Sequence, residues 1–143
     1  MKKILVIDDE WKIRKLIKDY LVREGYIVDE AGDGEEGIEK FFSNIYDIVI
    51  LDIMMPKIDG WSVCRKIREE SQVPIIMLTA RADESDQLFG FDLETDEYMV
   101  KPFNPKLLVA KVKALLRRDG KIIDKAPMVF GDLAIDGIKR EVR

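Results

Sequence analysis

An open, doubly wound α/β domain is the fold class that this sequence predicts, on three observations. Apolar runs of strand length alternate with helix-period segments through roughly the first 118 residues. The runs are apolar on both faces, as strands buried within a parallel sheet must be. The helical segments lie one between each pair of runs, where crossovers covering both sides of such a sheet belong.

The runs are "KILVID", "YIVDEA", "DIVILD", "PIIMLTA" and "EYMVK". Between the first two, Ile13, Leu16, Ile17, Tyr20 and Leu21 recur at the spacing of one apolar helical stripe, and Gly25 supplies the stop. Ile38, Phe41 and Phe42 mark a second helix and Val63 and Ile67 a third. Leu88 and Phe91 mark a short fourth, and Leu108, Val112 and Leu115 a fifth. The fifth opens with Asn104 as cap and Pro105 at its first position, where proline's fixed φ and missing N–H cost nothing. After "LLRRDG" the pattern changes. "KIIDKAP" reads as a linker, and "MVFGDLAIDGIKREVR" as short strands broken by Gly-Asp and Asp-Gly turns. The organisation expected is a domain over residues 1–118, a linker over 119–127 and the start of a second domain over 128–143.

Composition narrows the chemistry. The 143 residues are 47% apolar, enough for one good core. The net charge of −4 argues against a chain that binds polyanions over its whole surface. A single cysteine, Cys64, excludes an intrachain disulfide, and no apolar run reaches the roughly eighteen residues of a membrane span, so a cytoplasmic protein is expected. There is no histidine, which removes Ser/His/Asp triads, histidine bases and His-ligated zinc together. Carboxylates, hydroxyls, lysines or a cation must carry any reaction.

In a parallel sheet the carboxyl ends of the strands share one rim, and ligands bind there. The first run ends in Asp8 and Asp9, the third in Asp52, the fourth in Thr79 and the fifth in Lys101. Singly, each has an ordinary reading: a helix cap, a turn hydroxyl, a surface lysine. Together they bring three carboxylates, a hydroxyl and an ammonium to one place. Two carboxylates about 4 Å apart repel by about 4 kcal/mol at an effective dielectric near 20, so three call for a cation. Hard oxygen donors without histidine or thiolate favour Mg²⁺. A cation and Lys101 could then neutralise charge on a phosphoryl group attacked in line by an aspartate, with Thr79 donating a hydrogen bond to it.

The motifs "ILVIDDE" (4–10), "DIVILDIMMPKIDG" (47–60), "PIIMLTAR" (74–81) and "DEYMVKPF" (96–103) resemble those of the receiver domain of two-component response regulators, over the whole of residues 1–118. The resemblance implies a flavodoxin-like sheet of order 2-1-3-4-5 and phosphorylation of Asp52 from the phosphohistidine of a sensor histidine kinase. It also implies Mg²⁺ held by Asp9, Asp52 and the backbone carbonyl of Met54, with Asp8 contributing through water. Lys101 would pair with the phosphoryl group and precede a cis Pro102, while Thr79 and Tyr98 would form a switch pair in which Tyr98 turns inward. Residues flanking the site, Met54 and Arg81, would influence the lifetime of the phosphorylated state. The tail resembles the first strands of the winged-helix effector of OmpR/PhoB-type transcription regulators. The chain is therefore expected to be a fragment without the recognition helix, with DNA binding left to the full-length protein.

In that subfamily the fourth helix, fifth strand and fifth helix form the active homodimer. Leu88, Phe91 and Ala110 match its apolar patch, and Asp96 with Arg118 and Glu97 with Lys111 match two of its ion pairs. Gln87 and Leu107 replace the usual lysine–glutamate pair, and Glu94 and Thr95 stand where Gly-Ala is common.

Two enzyme readings compete. A Mg²⁺ phosphohydrolase would use Asp52 as nucleophile but want a second acid two residues later, where Met54 stands. A nucleotide-binding α/β enzyme would use Gly32, Gly34 and Gly37 of "AGDGEEG", a Gly-x-Gly-x-x-Gly match with Asp52 about twenty residues on. Asp33, Glu35 and Glu36, however, crowd the amides that a pyrophosphate would need. Asp33 and Glu36 read better as an N-cap and a capping-box variant, with the glycines serving the turn. A third reading, an interaction module with a vestigial site, is disfavoured by the intact acids and lysine.

Overall fold

A computed structural model describes residues 1–80 and 97–124, with side chains through Arg117. Among the described residues, five strands form one parallel sheet: β1 (Lys3–Ile7), β2 (Ile27–Ala31), β3 (Ile48–Asp52), β4 (Ile75–Thr79) and β5 (Glu97–Val100). Their order is β2-β1-β3-β4-β5, as the resemblance implies. The helices described are α1 (Trp11–Arg23), α2 (Gly34–Ser43), α3 (Gly60–Arg68) and α4 (Pro105–Asp124), the last being the fifth helix of the sequence pattern. The expected helix around Leu88 and Phe91 lies outside the described residues, as do Arg81, Gln87, Glu94, Thr95, Asp96 and 128–143.

Burial follows strand position. Every residue of β3 and β4 is buried, whereas the edge strands β2 and β5 mix buried with partly buried and, at Ile27, exposed positions. Because side chains alternate along a strand, Leu5, Ile7, Val49, Leu51, Ile75 and Met77 share one face of the sheet. They form a core with Phe41 of α2 and Val63, Cys64 and Ile67 of α3. The intervening residues Ile4, Val6, Ile48, Ile50, Ile76 and Leu78 are equally buried, and α1 packs on β1 and β2 with Ile17 and Leu21 buried. Both faces are covered, as the continuous apolar runs required. Phe42, assigned to the stripe of α2, is instead 44% exposed.

The helix boundaries have local causes. Gly25 adopts φ 93°, the left-handed conformation open to glycine, and its N–H bonds the Val22 carbonyl to end α1. Asp59 caps α3 by accepting from the Ser62 N–H at 2.9 Å. Asn104 caps α4 by accepting from the Lys106 N–H at 2.9 Å, with Pro105 in the first turn as expected. α4 continues to Asp124, so the first residues of the expected linker are helical; Gly120 inside a helix costs only about 1 kcal/mol. The chain divides into two units, Met1–Ala110 and Lys111–Arg143.

At α2 the Asp33 carboxylate accepts from the Glu36 N–H at 2.8 Å, and the Glu36 carboxylate reaches back to the Gly32 N–H at 2.8 Å. This is the reciprocal cap anticipated, displaced by one residue at its second bond. Gly32 lies in the turn before α2, and none of the glycines of "AGDGEEG" adopts positive φ. Gly34 and Gly37 serve packing. A Cβ on Gly34 would lie 2.5 Å from the Ile58 carbonyl oxygen, and one on Gly37 would lie 2.6 Å from Ile7 Cδ1. Gly32 has nothing closer than 3.5 Å.

Candidate phosphoacceptor and cation site

The parallel sheet delivers the predicted groups to its carboxyl rim. Asp8 and Asp9 follow β1, Asp52 and Thr79 end β3 and β4, and Lys101 follows β5. Asp8 extends the β1 ladder, its N–H bonding the Ala31 carbonyl at 3.1 Å, so its carboxylate stands where the sheet stops. The Lys101 N–H bonds the Thr79 carbonyl at 2.6 Å, and the Lys101–Pro102 peptide is cis, as expected. Behind Asp52 the chain doubles back tightly: the Gly60 N–H bonds the Ile53 carbonyl at 2.8 Å, and a Cβ on Gly60 would lie 2.2 Å from the Asp52 carbonyl oxygen. Only glycine fits at that approach.

Asp8 is fully buried, Asp52 is 3% exposed and Asp9 is exposed. One carboxylate oxygen from each can be chosen so that all three lie within 4.8 Å of one another. Lys101 Nζ lies 3.0 Å from Asp8 Oδ2, 3.4 Å from Asp52 Oδ1 and 3.4 Å from Glu10 Oε1. One ammonium therefore faces an excess of carboxylates. Burial and this crowding of charge together shift the pKa values. Burial, then the Asp8 charge, raises the Asp52 pKa to about 7 despite Lys101. Burial likewise raises Asp8, against the hydrogen bond from the Glu10 N–H and that from Lys101. Burial pulls the Lys101 ammonium down but is outweighed by Asp8, Asp52 and Glu10, so its pKa is raised.

An all-oxygen donor set of three clustered carboxylates, two of them buried and under-neutralised, fits a hard divalent cation such as Mg²⁺. Thr79 is fully buried beside this rim, and Tyr98 is partly buried against the core. The Met54 side chain is exposed. Of the expected dimer face, Ala110 is exposed and Glu97 partly buried, both within the first unit, and Lys111 is partly buried within the second; Leu107, which departs from the family's pair, is exposed. Leu88, Phe91, Asp96 and the Arg118 side chain lie outside the described residues.

Sequence reasoning missed two neighbours. Glu10, which ion-pairs Lys101, was signalled only by its adjacency to the two aspartates. Arg14 donates to the Asp8 carbonyl at 2.6 Å, yet among Lys12, Lys15 and Lys18 it reads as one more surface cation. The nucleotide-binding reading fails on geometry, because the cap carboxylates occupy the Gly32 and Glu36 amides and Gly34 and Gly37 are filled against by Ile58 and Ile7.

Among the described residues no helix is long and apolar enough to cross a membrane. The family profile described as the response regulator receiver domain matches residues 4–113. The chain is 49% identical over 141 residues to the transcriptional regulatory protein ResD of Bacillus subtilis, covering 94% of this chain and 59% of that protein. It thus spans little more than half the length of such a relative. A crystal structure of a two-component response regulator from Clostridium difficile superposes with a TM-score of 0.79 at 38% identity, over 85% of this chain and 100% of that one. The response regulator TrrA from Thermotoga maritima, solved in complex with Mg(2+)-BeF, superposes with a TM-score of 0.74 at 49% identity, over 80% of this chain and 99% of that one. With the sheet order, the rim of acids and these matches in agreement, the chain belongs to the response regulator receiver family.

Proposed function

We propose that this chain is the phosphoacceptor of a two-component system, in which Asp52 takes a phosphoryl group from a phosphohistidine of a sensor histidine kinase. The observation that carries the reading is the Lys101 ammonium, 3.4 Å from Asp52 and 3.0 Å from Asp8, within a cluster of three carboxylates. Asp8, Asp9, Asp52 and the Met54 carbonyl would hold Mg²⁺, which supplies positive charge against the phosphoryl oxygens when bound. An Asp52 carboxylate oxygen forms the new O–P bond as the donor's P–N bond breaks, and the imidazole departs with that electron pair and takes up a proton. Lys101 is placed to follow the charge onto the phosphoryl group, and its proximity favours the ionised, nucleophilic form of Asp52.

Thr79 and Tyr98 then form the readout. The Thr79 hydroxyl donates to the phosphoryl group, and Tyr98 turns further inward into the space released. The face carrying Glu97, Ala110 and Lys111 with Leu88, Phe91, Asp96 and Arg118 pairs two phosphorylated copies. Residues 128–143 open a winged-helix domain through which the full-length cytoplasmic protein binds DNA and controls transcription. The chain turns over no substrate beyond its own phosphoryl group.

The test is incubation with Mg²⁺ and acetyl phosphate, followed by mass spectrometry of the native chain and of Asp52→Asn. One acid-stable, base-labile phosphoryl group on the native chain and none on the variant is the expected outcome. An unlabelled native chain, or a labelled variant, contradicts it.

A further inference from the structure

Asp9 differs from the other two acids of the cluster in how it is held. Asp8 and Asp52 are buried and engage Lys101, whereas among the described residues no side chain or backbone N–H donates a hydrogen bond to the exposed Asp9 carboxylate. Its aim toward the other two must come from its backbone. Both peptide planes flanking Asp9 are pinned. The plane between Asp8 and Asp9 presents the Asp8 carbonyl, which accepts from Arg14 Nη1 at 2.6 Å. The plane between Asp9 and Glu10 presents the Glu10 N–H, which donates to Asp8 Oδ1 at 2.9 Å. Arg14 is itself fixed. Its Nε donates to Glu30 Oε1 at 3.1 Å, its side chain is 19% exposed, and Glu30 is held from the other side by Lys18 at 3.5 Å. A rigid guanidinium therefore bridges the edge strand β2 to the one backbone carbonyl that orients Asp9.

We infer that Arg14 is a positioning residue for the cation site: by holding the Asp8 carbonyl it fixes the peptide that carries Asp9 and aims that carboxylate at Asp8 and Asp52. The inference rests on the Mg²⁺ reading above. It assigns to Arg14 the part that groups outside the ligand set play at metal centres, where losing an orienting partner weakens affinity about 10–100-fold. Without Arg14 the turn after β1 samples other orientations, and binding the cation must order it.

The test titrates Mg²⁺ into the native chain, Arg14→Met, Arg14→Lys and Asp9→Asn, following tryptophan fluorescence. Trp11 opens α1 two residues from Asp9. Arg14→Met keeps the aliphatic stem and removes the donors. Its Mg²⁺ dissociation constant should rise about tenfold. Its acetyl phosphate labelling should need correspondingly more Mg²⁺ yet reach a maximal rate within about twofold of native, because orientation is restored once the site is filled. Arg14→Lys, which keeps one charged donor, should recover part of the affinity. A folded Arg14→Met whose dissociation constant stays within about twofold of native, while Asp9→Asn loses binding, overturns the role of Arg14 and leaves the site intact. So does a labelling defect that saturating Mg²⁺ does not repair. A native chain that shows no saturable response overturns the cation site itself, and this inference with it. Should Arg14→Met fail to fold, Glu30→Gln loosens the same guanidinium from its other end; a weakening of about two- to fivefold supports the inference, and an unchanged constant overturns it.

Discussion

Asp8, Asp9 and Asp52 at the sheet rim and Asp33, Glu35 and Glu36 at the start of α2 are two acid triplets with opposite electrostatics. At α2 the carboxylates of Asp33 and Glu36 accept backbone N–H groups, which hold both below the usual carboxylate range. Lys57 adds ion pairs to Asp33 at 3.4 Å and Glu35 at 3.8 Å. That triplet is already satisfied by amides at the start of its helix and by Lys57. At the rim burial raises the pKa values of Asp8 and Asp52, with the Glu10 charge adding at the first and the Asp8 and Asp9 charges at the second. The rim triplet holds unspent negative charge and the α2 triplet does not. Acid density alone does not mark a ligand site; the direction in which burial and donors push the acids does.

Lys101 is the group on which the rim depends most. Lys101→Met removes the one ammonium bridging Asp8, Asp52 and Glu10. Without Mg²⁺ at pH 8 it should cost about 3 kcal/mol, the range for losing one partner of a buried ion pair. Urea unfolding measures it. A loss under about 1 kcal/mol would mean that the rim charges are solvated like those at α2.

Neutralising an acid should have opposite signs in the two triplets. The pKa of Asp52 is raised in the folded state, so its contribution to stability is full below about pH 4, the unfolded value, and is lost as pH rises through about 7. Asp52→Asn escapes that loss. Without Mg²⁺ it should be more stable than the native chain by about 2 kcal/mol at pH 8, with the gap closing toward about pH 4. Saturating Mg²⁺ should reverse the order, since only the native site gains binding energy. A variant less stable than native at pH 8 without the ion contradicts the repulsive rim.

Which parts of this contrast the sequence could disclose depends on range. β3 and β4 were legible because strands buried on both faces are written as unbroken apolar runs, and Asp52, Thr79 and Lys101 were legible because a parallel sheet gathers strand ends. Asp33 and Glu36 were legible because a cap is local. Gly34 was misread, because the Ile58 carbonyl that excludes a side chain there arrives from a loop distant in sequence. Arg14 stayed hidden for a related reason. Its partners, a backbone carbonyl and Glu30 of the next strand, leave no trace in its own neighbourhood.

Gly34 and Gly32 differ in a way that tests what the start of α2 is for. Gly34→Ala forces a Cβ to 2.5 Å from the Ile58 carbonyl oxygen and 2.9 Å from Val63 Cγ2, and should cost about 2 kcal/mol. Gly32→Ala meets nothing closer than 3.5 Å and should change stability by less than about 0.5 kcal/mol. Thermal unfolding of the pair separates packing from ligand binding. A phosphate-cradling motif would instead make all three glycines matter to nucleotide affinity and none of them strongly to the stability of the ligand-free chain.

The smallest expected effect tests the satisfied triplet directly. Asp33→Ala removes the acceptor for the Glu36 N–H and leaves one of the orphan donors at the start of α2 to water. Loss of such a cap costs about 1 kcal/mol. The folded-state pKa of Asp33 is lowered, so its contribution is present above the unfolded value near 4 and is lost as pH falls below it. The deficit of Asp33→Ala should therefore be full at pH 7 and shrink toward pH 3, a pH dependence opposite in sign to that of Asp52. Mg²⁺ affinity should stay within about twofold of native, because Asp33 belongs to a charge system closed by its helix amides and Lys57. A larger fall in Mg²⁺ affinity would join the two triplets into one electrostatic unit, and the contrast between them would then be one of degree, set by how far the field of α2 reaches across the loop that Gly34 packs against.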